Sequence, residues 1–142
     1  MEKQKIPQCV LAALPDRIRR EILLVAAALE SVEEIRLHCA RRATLTAGGG
    51  RNVMTASVLT RAEMEHVLSL LCDNSVYAFR ETICDGYLTV GDGVRVGVCG
   101  RAVSDGGRVR AVYDISSIII RIPHAYTVGG EVICALLDKL SY

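Results

Sequence analysis

Arginine is the residue type whose placement in this chain points to chemistry. Arg95, Arg101, Arg108, Arg110 and Arg121 fall within one predicted sheet, against Asp92, Asp105 and Asp114, and Arg36 falls on a separate predicted strand. A sheet face carrying several guanidinium groups can hold a phosphate or a carboxylate in bidentate geometry. The competing reading is an ordinary solvated face whose arginines pair with these acids. Arg95 and Arg121 stand apart because each has apolar neighbours in a strand interior. A half-buried arginine in such a place needs a partner.

Little else suggests an active site. His38, His66 and His124 sit on unrelated elements, each without a cysteine or acid at ligand or triad spacing. None of the GxSxG, HExxH or GxxxxGK[ST] patterns is present. Gly48-Gly49-Gly50-Arg51 superficially resembles a phosphate loop, but Asn52 and Val53 follow where a lysine and a Ser/Thr are needed, so a turn is expected. Ser116-Ser117, Asp92 and Asp114 are read as turn formers. The six cysteines, no two closer than Cys72 and Cys84, lack zinc-ligand spacing and read mainly as small apolar residues. The expectation is no catalytic residue, no metal and no cofactor held by this chain.

The elements that position these arginines follow from patterning. The chain has 142 residues, 51% of them hydrophobic, with five Tyr, one Phe and no Trp, which predicts a single domain with an aliphatic core. A net charge of +1 gives no whole-chain field for nucleic acid or an anionic membrane. The apolar run Ile22 to Leu29 is far short of the roughly 20 residues a membrane span requires. With no secretory pattern, a reduced, cytosolic domain is expected.

Residues 1–10 read as a frayed polar start. Leu11, Leu14, Ile18, Ile22, Val25 and Leu29 form one amphipathic stripe, with a helix over 15–29 starting at Pro15-Asp16. Arg17, Arg19, Arg20 and Glu21 lie off the stripe, on what reads as a solvated face. Ile35, Leu37 and Cys39 alternate with Arg36 and His38 as a strand, and a hairpin around the three glycines completes a strand-and-hairpin unit over 34–55. Thr60 and Glu63 form a capping box for a helix over 61–72, with Leu59 and Met64 as its staple. His66 falls on its polar side. A second helix is expected over 75–83 and a closing one over 130–140. Between them, residues 86–122 read as an antiparallel meander with strands at 87–90, 94–103, 108–113 and 118–122. Val94, Val96, Val98, Ile118, Ile120 and Ile122 take one face, with Arg95 and Arg121 on the other. The fold class is α+β, a mostly antiparallel sheet with helices covering one side.

Five segments, taken in order, resemble a known family. They are Glu33-Glu34-Ile35-Arg36-Leu37, Ser75-Val76-Tyr77-Ala78-Phe79, Gly86-Tyr87-Leu88-Thr89-Val90, Arg95-Val96-Gly97-Val98-Cys99-Gly100, and Asp114-Ile115-Ser116-Ser117 with Ile120-Arg121-Ile122. Together they are similar to the N-terminal part of the stage III sporulation protein AA family, ATPases of endospore formers that resemble type II and type IV secretion motors. Departures fall at Arg41-Arg42, where the family often has Arg-Pro, at Asp92-Gly93-Val94, where it has Gly-Gly-His, and at Ile119, where it has Asn. Arg95 and Arg121 are untouched by them.

The resemblance implies that residues 1–142 are a non-catalytic N-terminal domain, with ATP and Mg²⁺ belonging to a P-loop domain absent from this chain. It further implies packing against the P-loop domain of the same or a neighbouring subunit, a homo-hexamer, membrane components of a sporulation secretion complex as partners, and a place in the cytoplasm on the mother-cell side. By motif position Arg95 and Arg121, and after them Arg101 and Arg110, are the residues implied to approach nucleotide. Two other readings compete. A phosphate- or nucleic-acid-binding module would use the arginine face, but it lacks paired aromatics for base stacking beyond Tyr87 and Tyr113. A small-ligand sensor would need a preformed apolar cavity.

Overall fold

The computed structural model describes residues 5–72 and 87–123. Its elements run α1 (Gln8–Ala13), α2 (Asp16–Ala27), β1 (Val32–His38), β2 (Arg42–Ala47), β3 (Asn52–Val58), α3 (Arg61–Leu71), β4 (Tyr87–Thr89), β5 (Arg95–Asp105) and β6 (Arg108–Arg121). The strands form one sheet in the order β3-β2-β1-β6-β5-β4, with every neighbouring pair antiparallel. The fold is α+β, as its alternation predicts. The expected helices over 75–83 and 130–140 lie outside the described residues.

Strand alternation decides the two faces of the sheet. Val53, Leu45, Ile35, Ile120, Val96 and Leu88 stand in register across all six strands. All but the half-buried Val53 are closed off from solvent. Leu37, Ile118 and Val98 form the next buried row. The helices cover this side, α3 on β6, α2 on β3 and α1 against α3.

From Lys5 onward the N-terminal segment is part of this core rather than frayed, and residues 1–4 lie outside the described residues. Ile6, Val10 and Leu14 are buried, and the Lys5 ammonium donates to the carbonyl of Ala26 at 3.0 Å and to that of Leu29. That places a cation on the negative end of α2. The apolar stripe that reads as continuous from Leu11 is divided between two helices. Leu14 takes an extended ψ of 143°, as a residue before proline prefers, and the chain bends there before Asp16.

The face of α2 predicted to be merely solvated instead ties three elements together. Arg17 pairs with both carboxylate oxygens of Glu63, one at 2.9 Å, and donates to the carbonyl of Val58 at 2.6 Å. Glu63 also completes the α3 capping box, accepting from the Thr60 amide while its own amide donates to the Thr60 hydroxyl. The Arg17 guanidinium is the main reason the Glu63 carboxyl is lowered to about 2. The stabilisation from this lowered pKa is full above the ordinary carboxylate range and fades as pH falls toward 2. Glu63→Gln is therefore expected to cost about 1–2 kcal/mol at neutral pH. Urea melts at several pH values should show the gap to wild type narrowing between pH ~4.5 and ~2.

The meander differs from expectation at one place. Asp114 to Ser117 was expected to turn the chain, yet β6 runs unbroken through it. Between the pairs Cys99–Ser117 and Arg101–Tyr113, β5 passes one residue, Gly100, while β6 passes Asp114, Ile115 and Ser116. This is a bulge that absorbs the turn-favouring residues without ending the strand. Asp114 takes φ +50°, and Ile115 drops into the core. Gly100 allows the close approach, since a Cβ there would stand 2.6 Å from the carbonyl oxygen of Tyr113 and 3.2 Å from that of Asp114. Because that wall is backbone, Gly100→Ala is expected to cost about 1–3 kcal/mol. An unchanged urea midpoint would show that the bulge does not press on Gly100.

Candidate functional site

The sheet side away from the described helices carries the arginines. Arg121 points there because Ile120 and Ile122, its neighbours, are buried on the helix side, and Arg95 does so between buried Val94 and Val96. In register across the sheet stand Asn52, Thr46, Glu34, Arg121, Arg95 and Thr89. Arg95 and Arg121 are therefore direct cross-strand partners, a placement of like charges that disfavours pairing unless an anion sits between them.

One carboxylate anchors the row. Glu34 is only 8% exposed, and it accepts from Arg36 Nε at 3.0 Å and from Arg121 Nε at 3.5 Å. The carbon stems of the two arginines fit that burial, since long charged side chains can cover a neighbour while their heads stay in water. A shallow pocket of about 260 Å³ opens beside this pair, lined by Glu33, Glu34, Thr46, Arg121 and Ile122. Among the described residues, Arg95 has no ion-pair partner within 4 Å.

Several expected site residues fall elsewhere. Arg95 and Arg121 are exposed rather than half-buried, with the Arg121 side chain 72% open. An arginine on an uncovered face does not force a buried counter-ion as an interior one does. Arg101 lies six residues along β5 from Arg95, roughly 20 Å in an extended strand. Its partner there is Asp114, at 3.8 Å, which also meets Arg61 at 3.5 Å. The Arg110 side chain lies outside the described residues. The structure thus brings Arg95, Arg121, Arg36 and Glu34 together and leaves Arg101 apart.

Sequence reasoning missed one polar contact on the same face. His38 Nδ1 lies 2.8 Å from the Ser117 hydroxyl across the β1–β6 pair, beside the exposed Cys99 on β5. Register alone creates this neighbourhood, and no local motif signals it. His66 is exposed on α3, as its position on the helix implies. Cys72 is buried and Cys9 and Cys39 are half-buried, whereas Cys99, on the arginine side, is not an apolar filler. Among the described residues no three His, Cys, Asp or Glu side chains gather as a metal site. What the face offers chemically is guanidinium charge arranged to bind.

An antiparallel sheet backed by helices on one side, with opposed arginines on the other, defines an α+β domain with a cationic sheet face. Residues 1–139 match the family described as sporulation stage III, protein AA, and the chain belongs to that family. It is 34% identical over 91 residues to the stage III sporulation protein AA of Bacillus subtilis (strain 168). That alignment covers 64% of this chain and 29% of the relative, so the match spans less than a third of the curated protein's length. Membership places the chain among sporulation proteins. Among the described residues, no helix is long and apolar enough to cross a membrane.

Proposed function

We propose that this chain is an assembly and regulatory domain of a sporulation ATPase similar to secretion motor ATPases. It packs against a P-loop domain of the same or a neighbouring subunit in a hexameric ring, on the mother-cell side of a membrane-bound secretion complex. ATP and Mg²⁺ are held by that P-loop domain, and this chain alone hydrolyses nothing. Arg95 and Arg121 approach the nucleotide phosphates from the cationic sheet face.

The observation that supports this reading most is the direct opposition of Arg95 and Arg121 across β5 and β6. Two guanidiniums held side by side on rigid strands can clamp a phosphoryl group, whose charge grows on its outer oxygens during transfer. Glu34 steadies Arg121 from the far side, while among the described residues no carboxylate pairs with Arg95. The test is Arg95→Gln and Arg121→Gln in a protein that carries this chain joined to its P-loop domain, with ATP hydrolysis and ring assembly both measured. If both are unchanged, the arginines do not serve the nucleotide.

A further inference from the structure

The carboxylate on the arginine face is placed there by an irregularity in β1. Val32 and Ile35 both belong to the core, although strict alternation would put residues at this spacing on opposite faces. The register explains it. Between the pairs Val32–Ala47 and Glu34–Thr46, β1 passes Glu33 while β2 passes no residue. Glu33 is the extra, exposed residue of a bulge, and Glu34 is turned to the side away from the helices. Bulges re-aim side chains in this way and recur next to active sites.

Stability is a poor explanation for this carboxylate. Glu34 is buried, while half of the Arg36 side chain and most of the Arg121 side chain are open to solvent. Ion pairs with exposed arginines stabilise little, and taking a carboxylate out of water is costly. The geometry of the contacts is more specific than their energy. Oε2 of Glu34 accepts from Arg36 Nε at 3.0 Å, and Oε1 accepts from Arg121 Nε at 3.5 Å. Each guanidinium is held at the N–H next to its carbon stem. That leaves donors on its terminal amino groups, the fork that suits phosphate, for a second anion.

We infer that Glu34 is a positioning residue for Arg121 and Arg36, and that Arg36 joins Arg95 and Arg121 as a third guanidinium on the same phosphoryl group. The inference rests on the nucleotide reading and goes beyond it, since that reading needs only the opposition of Arg95 and Arg121. Arg36 and Arg121 share one carboxylate, so their guanidiniums stand side by side. Arg95 flanks Arg121 across the next strand pair, with Cβ atoms about 5 Å apart in such a pair. A phosphoryl group in transfer spreads its charge over its outer oxygens, and donors fixed beforehand meet that charge without reorganising.

Positioning and simple charge compensation predict opposite results. Removing a mere counter-charge would strengthen the pull on phosphate, whereas removing a positioning group loosens the clamp. The test is steady-state ATP hydrolysis by a protein that carries this chain joined to its P-loop domain. Glu34→Asp keeps the charge and draws the carboxylate back by a methylene; Glu34→Gln keeps the length and removes the charge. Each should lower kcat about tenfold and move KM less than about twofold, and Arg36→Gln should do the same. Arg20→Gln, which removes a cation from α2 on the other side of the sheet, should leave kcat unchanged.

Adding Glu34→Gln to a protein that already carries Arg36→Gln and Arg121→Gln should cost nothing further, because Glu34 acts through those two side chains. A merely structural role would lower kcat equally in both backgrounds and lower the melting temperature with it. The inference is overturned if Glu34→Asp matches wild type, if Glu34→Gln raises kcat, or if Glu34→Gln costs as much in the doubly substituted background. It also falls, with the nucleotide reading left standing, if Arg121→Gln slows hydrolysis while Arg36→Gln and both Glu34 variants keep the wild-type kcat. An unchanged kcat in Arg121→Gln removes the nucleotide reading and this inference together.

Discussion

A protein that joins this chain to its nucleotide-binding domain is expected to lose about a hundredfold in kcat for ATP hydrolysis when Arg95 and Arg121 are both changed to Gln. Removing one preorganised donor from a developing negative charge costs about 10²–10³ in rate, and a clamp split between two strands sits at the lower end. KM should change less, because the charge they meet is greatest in the transition state. Stability should change far less than activity. Relief of the opposed like charges of Arg95 and Arg121 is offset by loss of the Arg121 contact with buried Glu34, so neutral replacements should change the melting temperature little. Steady-state kinetics and a thermal melt on the same preparation check both halves. A kcat within twofold of wild type, or a rate loss that simply follows a fallen melting temperature, would sink the proposed role.

The largest effect on stability is expected at Ile120. It is fully buried on an interior strand, between Ile35 on β1 and Val96 on β5. Ile120→Ala removes methyl groups from a layer that rigid strands cannot close over, which costs about 3–4 kcal/mol. That is a large part of the 5–15 kcal/mol typical of a whole domain. Ile119, one position away, is half-buried on the opposite face, and Ile119→Ala should cost less than about 1 kcal/mol. Urea unfolding of the two variants, set side by side, reads which face of β6 is the core. Equal losses would contradict the register.

The strands around β1 and β6 were legible because their apolar residues alternate cleanly, and the α3 cap was legible because its signals are local. Three features were not. The inclusion of Ile6 and Lys5 depends on α2 ending beside them, which no local pattern announces. Asp114-Ile115-Ser116-Ser117 has the composition of a turn, but the strand register on either side overrides it and makes a bulge. The Arg17–Glu63 and Glu21–Ser57 contacts bridge residues 46 and 36 positions apart, so a charged helix face was read as solvated. The arginines were found by type and alternation. Their opposition required the register, and their exposure required knowing which side the helices take.

The Glu21–Ser57 and Arg17–Val58 contacts have a consequence for growth. A sheet with two open ends can add strands at both and lengthen into a fibre; here the side chains of α2 occupy the backbone groups of Ser57 and Val58, so a strand added along β3 could not pair over its last two residues without displacing Glu21 and Arg17.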